Sequence, residues 1–257
     1  MSAWDPNIYL RFSNERTRPA IDLVSRIDIP GPERIIDLGC GPGNSTEILH
    51  QRWPHAHVTG LDNSAEMLSA AQKSNPALEW ILADASAWQA ATPYHIIFSN
   101  AALQWMPDHA RLIPRLFAMV AKGGALAFQI PARLGSPLHQ FILQVAEEPE
   151  WAAQMAGART GFLTEGSAFY YDALASAASA IDLWETEYYH IMQDHQAIIT
   201  WAKGAALRPF LDALGTEEQR ERFTRLIAAR IERAYRRQGD GKVLFPFRRL
   251  FVVAYRR

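Results

Sequence analysis

The sequence predicts an α/β fold: a doubly wound, mostly parallel sheet with a helical lid. Three observations carry this reading. Short apolar runs alternate with amphipathic, helix-patterned segments from Arg34 to Pro131, the pattern of a parallel sheet covered on both faces. The first run empties directly into a glycine-rich turn. After Pro131 the pattern becomes mostly helical, yet strand-like runs return twice before the C-terminus.

Taken in order, Ile35-Ile36-Asp37-Leu38 is the first strand, and Gly39-Cys40-Gly41-Pro42-Gly43-Asn44 is the turn that ends it. Ser45 is placed to cap a helix carrying Ile48, Leu49 and Trp53 on one side. Residues 57–62 form a second strand, with Ser64 as N-cap of a helix over Met67, Leu68 and Ala71. Residues 80–84 and 95–100 are the third and fourth strands, and a helix follows near 112–120. Gly123-Gly124 breaks that helix before a fifth strand over 125–130.

From 132 to 178 the pattern is helical, interrupted at Pro137 and Pro149. Residues 181–192 read as a strand, 195–237 as a second helical stretch and 250–255 as a last strand, with a turn at Gly239-Asp240-Gly241. This divides the chain into a ligand-binding core with an N-terminal helix (1–131) and a helical lid or substrate region (132–257). The second part is interleaved with the last strands of the sheet.

The 257 residues, 49% hydrophobic and 21% charged, suffice for a large core. A net charge of −1 gives no field for nucleic acid. The basic residues are unevenly placed: 217–257 hold 12 of the 26 Lys and Arg but 5 of the 27 Asp and Glu. The plain reading is a solvated helix face; the functional one is that a few of these arginines meet an anion. A lone Cys40 makes no internal disulfide and no cysteine zinc site, so no metal site is expected and a reducing cytoplasm is the simplest location. No signal-peptide pattern opens the chain and no apolar stretch is long enough to span a bilayer.

The strongest chemical signal lies at 37–44. Glycines at 39, 41 and 43 let a backbone approach a ligand and present its N–H groups. Asp62, at the end of the second strand, can accept hydrogen bonds from both ribose hydroxyls of an adenosine. That geometry suits NAD as well as S-adenosylmethionine. The spacing discriminates, because the dinucleotide turn is G-x-G-x-x-G and here Asn44 stands where its third glycine would fall. Asp84-Ala85, ending the third strand, can fix an adenine amino group. Asp62 and Asp84 could each also be an ordinary helix cap, and Cys40 in such a turn is a small packed residue rather than a nucleophile.

These residues, with Asn100, resemble the class I S-adenosylmethionine-dependent methyltransferases. The resemblance implies a Rossmann-like methyltransferase sheet with S-adenosylmethionine as cofactor. It places Gly39 and Gly41 at the methionine part, Asp62 at the ribose, and Asn63 and Met67 beside the adenine, with Asn44 and Gln104 also among the cofactor-binding residues. It sets Asp84 and Ala85 at the adenine edge, with Asn100 facing the methyl-transfer centre. Phe12 would close over the cofactor, or serve as a core anchor. Arg16 would meet the cofactor's carboxylate or the acceptor.

A finer resemblance spans almost the whole chain. Trp4-Asp5-Pro6, Glu15-Arg16-Thr17-Arg18-Pro19-Ala20, Leu103-Gln104-Trp105, Tyr170-Tyr171-Asp172, Tyr188-Tyr189-His190 and Phe245-Pro246-Phe247-Arg248-Arg249 are similar to the trans-aconitate 2-methyltransferases. Gly204-Ala205-Ala206 departs from that pattern where a Thr-Gly pair is expected. The resemblance implies methyl ester formation on one carboxylate of trans-aconitate, a small tricarboxylic acid; the charge and hydropathy above already leave neither nucleic acid nor membrane as an expected partner. A carboxylate, with a pKa of about 4, is already nucleophilic at neutral pH, so no general base is needed and no residue is assigned a catalytic role beyond positioning. Arginine forks suit carboxylates; the candidates are Arg16, Arg208 and Arg248, with Tyr170, Tyr171, His190 and Trp201 as donors or walls. Plainer alternatives exist for each: surface charge for the arginines, packing for the tyrosines, a satisfied core histidine for His190. Two other functions fit the same turn, a methyltransferase for another small carboxylic acid and a protein that holds the cofactor without catalysis.

Overall fold

The computed structural model describes residues 13–132, 136–160 and 165–257, with the side chains of 13–16 and 160 excepted. In chain order the elements are α1 (Ser13–Ser25), β1 (Arg34–Leu38), α2 (Asn44–Arg52), β2 (His57–Asp62), α3 (Ala65–Ser74), β3 (Glu79–Leu82) and β4 (Tyr94–Asn100). There follow a 3₁₀ turn (Leu103–Trp105), α4 (His109–Ala118), β5 (Val120–Pro131), α5 (Pro137–Ala146), α6 (Ala156–Thr160), α7 (Ser167–Ala175) and β6 (Ala178–Met192). The last elements are α8 (His195–Lys203), α9 (Arg208–Ala213), α10 (Glu217–Ala234) and β7 (Val243–Arg256).

The chain divides into two compact units. The larger comprises 13–131, 165–186 and 250–257. Its strands belong to a seven-stranded sheet of order β3-β2-β1-β4-β5-β7-β6, and β3-β2-β1-β4-β5 pair in parallel. The reversal of strand order between β1 and β4 opens the crevice where ligands of such sheets bind. Ile35, Ile36, Ile96, Ile97, Phe98 and Phe128 are fully buried, as expected of strands covered on both faces. The sheet fulfils the predicted fold class.

Details of this unit differ from the sequence reading. The glycine pair at 123–124 does not separate helix from strand, because β5 already begins at Val120. It sits inside the strand where the register with β4 shifts between Tyr94 and Ile96. A Cβ on Gly124 would stand 2.5 Å from the carbonyl oxygen of His95, so the pair marks a bulge with close backbone approach. Ser45 is not the cap of α2 either. Gly43, at φ 92°, holds that place, and the serine hydroxyl turns inward.

The smaller unit comprises 132, 136–160 and 187–249, including the outer ends of β6 and β7. The single helical stretch expected over 195–237 is three helices, broken at Gly204 and between Leu214 and Gly215. Thr216 and Gln219 form a capping box that starts α10. That helix buries Phe223, Ile227 and Ile231, with Trp151 edge-on and Phe210 stacked against Phe223. Its basic face is partly neutralised: Arg222 pairs with Glu150 at 2.9 Å and Arg230 with Glu148 at 2.8 Å. Among the described residues no helix is long and apolar enough to cross a membrane, and no group of three His, Cys, Asp or Glu could hold a metal.

Candidate active site

The turn after β1 is built from the backbone outward. Gly39 and Cys40 both donate to the carbonyl of Leu61, at 2.7 and 3.0 Å, which ties the turn to the end of β2. Gly39, Gly41 and Gly43 all have positive φ (70°, 56° and 92°), a region open to glycine at little cost. They differ in what surrounds them. A Cβ on Gly39 would lie 2.2 Å from that of Ala102, and one on Gly43 would lie 2.8 Å from the Trp80 ring. A Cβ on Gly41 would meet nothing within 4 Å. Two of the glycines thus serve internal packing, and Gly41 borders open space where a ligand could lie against the backbone.

Beneath the turn, Asp37 is fully buried, and its Oδ2 accepts from the hydroxyls of Ser45 (2.6 Å) and Thr46 (2.7 Å). These bonds join the end of β1 to the first turn of α2. Its Oδ1 has no hydrogen-bond partner among the described residues. Burial pushes the Asp37 carboxyl up to about 6, against the two hydroxyls that lower it. Burial also pushes the Cys40 thiol up, so Cys40 stays protonated and packed, in keeping with the non-nucleophile reading.

Asp62 is set by two backbone donors, Gly41 on Oδ2 at 2.8 Å and Ser64 on Oδ1 at 2.9 Å. Each carboxylate oxygen keeps a lone pair for a further donor such as a ribose hydroxyl. Ser64 caps α3, accepting from the amide of Met67. The Met67 side chain is 3% exposed, whereas Asn63 is exposed. Asp84 is exposed and folds its own loop: its Oδ1 accepts from Ser86, and its carbonyl from Ala87 and Trp88. Ala85 is buried beside it.

The loop after β4 completes this edge. Ser99 donates its hydroxyl to the Leu38 carbonyl at 2.8 Å, joining the ends of β4 and β1. Ala101 takes a left-handed conformation (φ 56°), rare for a non-glycine residue. It is held by its amide on the Gln129 carbonyl (3.0 Å) and by Gln104 Nε2 on its own carbonyl (2.6 Å). The side chain of Gln129, fully buried in β5, donates to Asn100 Oδ1 at 2.7 Å. Gly39, Gly41, Asn44, Asp62, Asn100 and Gln104 therefore sit at, or within a few residues after, the carboxyl ends of β1, β2 and β4. Phe12 lies outside the described residues, as does the side chain of Arg16.

The predicted acceptor residues fall in different places. Tyr170 is fully buried, and its hydroxyl meets His109 Nδ1 at 2.7 Å. Tyr171, next to it, is half exposed. His190 and Trp201 share the smaller unit, with ring centroids 4.9 Å apart and Phe247 about equally near both. Arg208 is largely buried and lies 3.9 Å from Asp212. Arg248 and its neighbour Arg249 lie on opposite faces of β7. Side chains alternate along a strand, so Phe247 and Arg249 are buried while Arg248 is exposed and lies 3.6 Å from Glu187. Arg249, which the sequence reading did not single out, is 4% exposed with its guanidinium 4.8 Å over Phe247. The alternation Phe245, Phe247, Arg249, Phe251 was the available signal.

Comparison with known proteins follows this geometry. Residues 35–124 match a methyltransferase domain family. Over its whole length the chain is 45% identical to the trans-aconitate 2-methyltransferase of Azoarcus sp. (strain BH72), covering all of both chains. It is 46% identical to that of Methylobacterium nodulans, covering 100% of this chain and 99% of the relative. The chain belongs to the trans-aconitate 2-methyltransferase family. Its fold is shared more widely. A putative methyltransferase from Bacillus halodurans superposes with a TM-score of 0.58 at 11% identity, over 92% of this chain and 98% of that one. The phosphoethanolamine N-methyltransferase 2 of Haemonchus contortus, solved with S-adenosyl-L-methionine, gives 0.56 at 13% identity, over 93% of this chain and 53% of that one.

Proposed function

We propose that this chain transfers the methyl group of S-adenosylmethionine to one carboxylate of trans-aconitate, forming a monomethyl ester. One observation carries the acceptor: the similarity to the trans-aconitate 2-methyltransferases runs from end to end, well beyond the 35–124 segment of the methyltransferase domain. The smaller unit is thus as much part of the family likeness as the cofactor turn.

The open face of Gly41 and the two-acceptor carboxylate of Asp62 fit the aminoacyl and ribose parts of the cofactor. Asn63 and the Asp84-Ala85 loop would meet the adenine, and Asn100 and Gln104 the side where the methyl is presented. The cofactor supplies an electrophilic methyl on a positively charged sulfur. The protein's part is to hold a carboxylate in line with it, since an ionised carboxylate needs no base to attack. A carboxylate oxygen gains the bond to carbon as the carbon–sulfur bond breaks, and the electron pair stays on sulfur. For the remaining carboxylates the candidate groups are Arg249, which lies over Phe247 beside His190 and Trp201, and Arg208 as a second cation.

The test is transfer from methyl-labelled S-adenosylmethionine to trans-aconitate, cis-aconitate, citrate and a monoacid. A base-labile labelled ester formed preferentially from trans-aconitate supports the reading. Labelling of another acid would redirect it, and cofactor binding without any labelled acid would leave a cofactor-binding protein.

A further inference from the structure

We propose that α4 positions both ends of the cofactor site, His109 acting through the loop after β4 and Arg115 through the loop after β3. The proposal rests on the reading above, which gives those loops to the methyl and adenine ends of the cofactor.

Arg115 grips the Asp84 loop through backbone alone. Its guanidinium donates to the carbonyls of Ala85 (3.0 Å) and Ser86 (2.8 Å), and also to that of Trp88. A planar fork can reach three carbonyls in one plane, which an ammonium on a flexible stem cannot reproduce. The loop that carries Asp84 and Ala85 therefore takes its place from a helix remote in sequence.

At the other end, His109 is the first residue of α4. Its Nε2 lies 2.8 Å from the Leu103 carbonyl, which can only accept, so that nitrogen carries the proton. In the neutral ring Nδ1 then accepts from the Tyr170 hydroxyl at 2.7 Å. Tyr170 is itself fixed, fully buried and edge-on to Phe128 with centroids 5.2 Å apart. The 3₁₀ turn that His109 holds contains Gln104, which bonds the strained Ala101, whose neighbour Ala102 packs against Gly39. Along the same helix, Leu112, Ile113, Leu116 and Phe117 are buried in the core, so it cannot shift freely.

His109 and Arg115 are positioning residues, and their effects should separate. Variants Arg115→Ala, Arg115→Lys, His109→Ala, His109→Gln and Tyr170→Phe would be compared by calorimetric affinity for S-adenosylhomocysteine, kcat at saturating substrates and melting temperature. Arg115→Ala is expected to weaken cofactor-product affinity about tenfold or more, with Arg115→Lys intermediate. His109→Ala and Tyr170→Phe are expected to lower kcat about tenfold with affinity within about twofold of the unaltered protein, and His109→Gln to recover part of the rate. Equal losses in both readouts that merely follow melting temperature would overturn the proposal, as would no change in either. If the alanine variants do not fold, the lysine, glutamine and phenylalanine variants decide by the same criteria. Failure of the unaltered protein to methylate trans-aconitate would sink the functional reading instead, and the affinity comparison would still decide the adenine end.

Discussion

The amide of Gly41 donates to Oδ2 of Asp62 at 2.8 Å, so the open glycine of the turn and the carboxylate ending β2 form one hydrogen-bonded edge. One charge thus shapes the turn while keeping acceptor capacity for a ligand. Asp62→Ala is expected to lower affinity for S-adenosylhomocysteine by about tenfold to a hundredfold, the effect of losing hydrogen bonds to a charged group. Isothermal calorimetry checks it; an unchanged affinity contradicts the ribose assignment.

The glycines at 39 and 41 should fail in different ways. Gly39→Ala meets the Ala102 Cβ and a φ of 70°, so a loss of roughly 1–3 kcal/mol in folding stability is expected, seen in urea unfolding. Gly41→Ala meets no protein atom and should cost about 1–2 kcal/mol through φ alone. Its larger effect should be on cofactor affinity.

Asp37 gives a pH dependence whose sign is fixed by its burial. Its carboxyl holds a proton up to about 6 in the folded chain against an ordinary value of 3.8, so the native state binds that proton more tightly than the unfolded one. Stability from this group is present at low pH and is lost as pH rises from about 4 through about 6. Asp37→Asn keeps an oxygen for Ser45 and Thr46 and removes the charge. It should therefore stabilise the protein by up to about 3 kcal/mol at pH 8 and by about half of that at pH 5. Urea titrations at the two pH values, with the cofactor absent, measure the difference.

Arg248 and Arg249 should be unequal despite being neighbours. Arg249→Lys keeps the charge but loses the flat guanidinium over Phe247, and it is expected to raise KM for trans-aconitate about tenfold. Arg248→Ala removes an exposed ion pair of the kind that contributes about 0–1 kcal/mol, and KM should move less than about threefold. The reverse order would return Arg248 to the site.

The first strands were legible as short apolar runs, and the turn because its glycines stand beside Asp62 at the end of the next strand. Asp62 could be read from its place at the end of a strand, and Ser64 from its place just after it. The residues that hold the loops were less visible. Arg115 and His109 act on carbonyls, and nothing in their local sequence names the segment they bind. Gln129, a polar residue inside Phe128-Gln129-Ile130, was a signal that could have been taken. Arg249 was obscured by pairing with Arg248, although strand alternation separates them once β7 is placed. The glycines at 123–124 misled because a bulge and a helix stop share the same residue preference.

The most direct test of the central claim is methyl transfer from labelled S-adenosylmethionine to trans-aconitate by the unaltered protein, with cis-aconitate, citrate and a monoacid alongside. The account predicts a base-labile monomethyl ester of trans-aconitate formed faster than any other product. Saturable cofactor binding with no labelled trans-aconitate would contradict it.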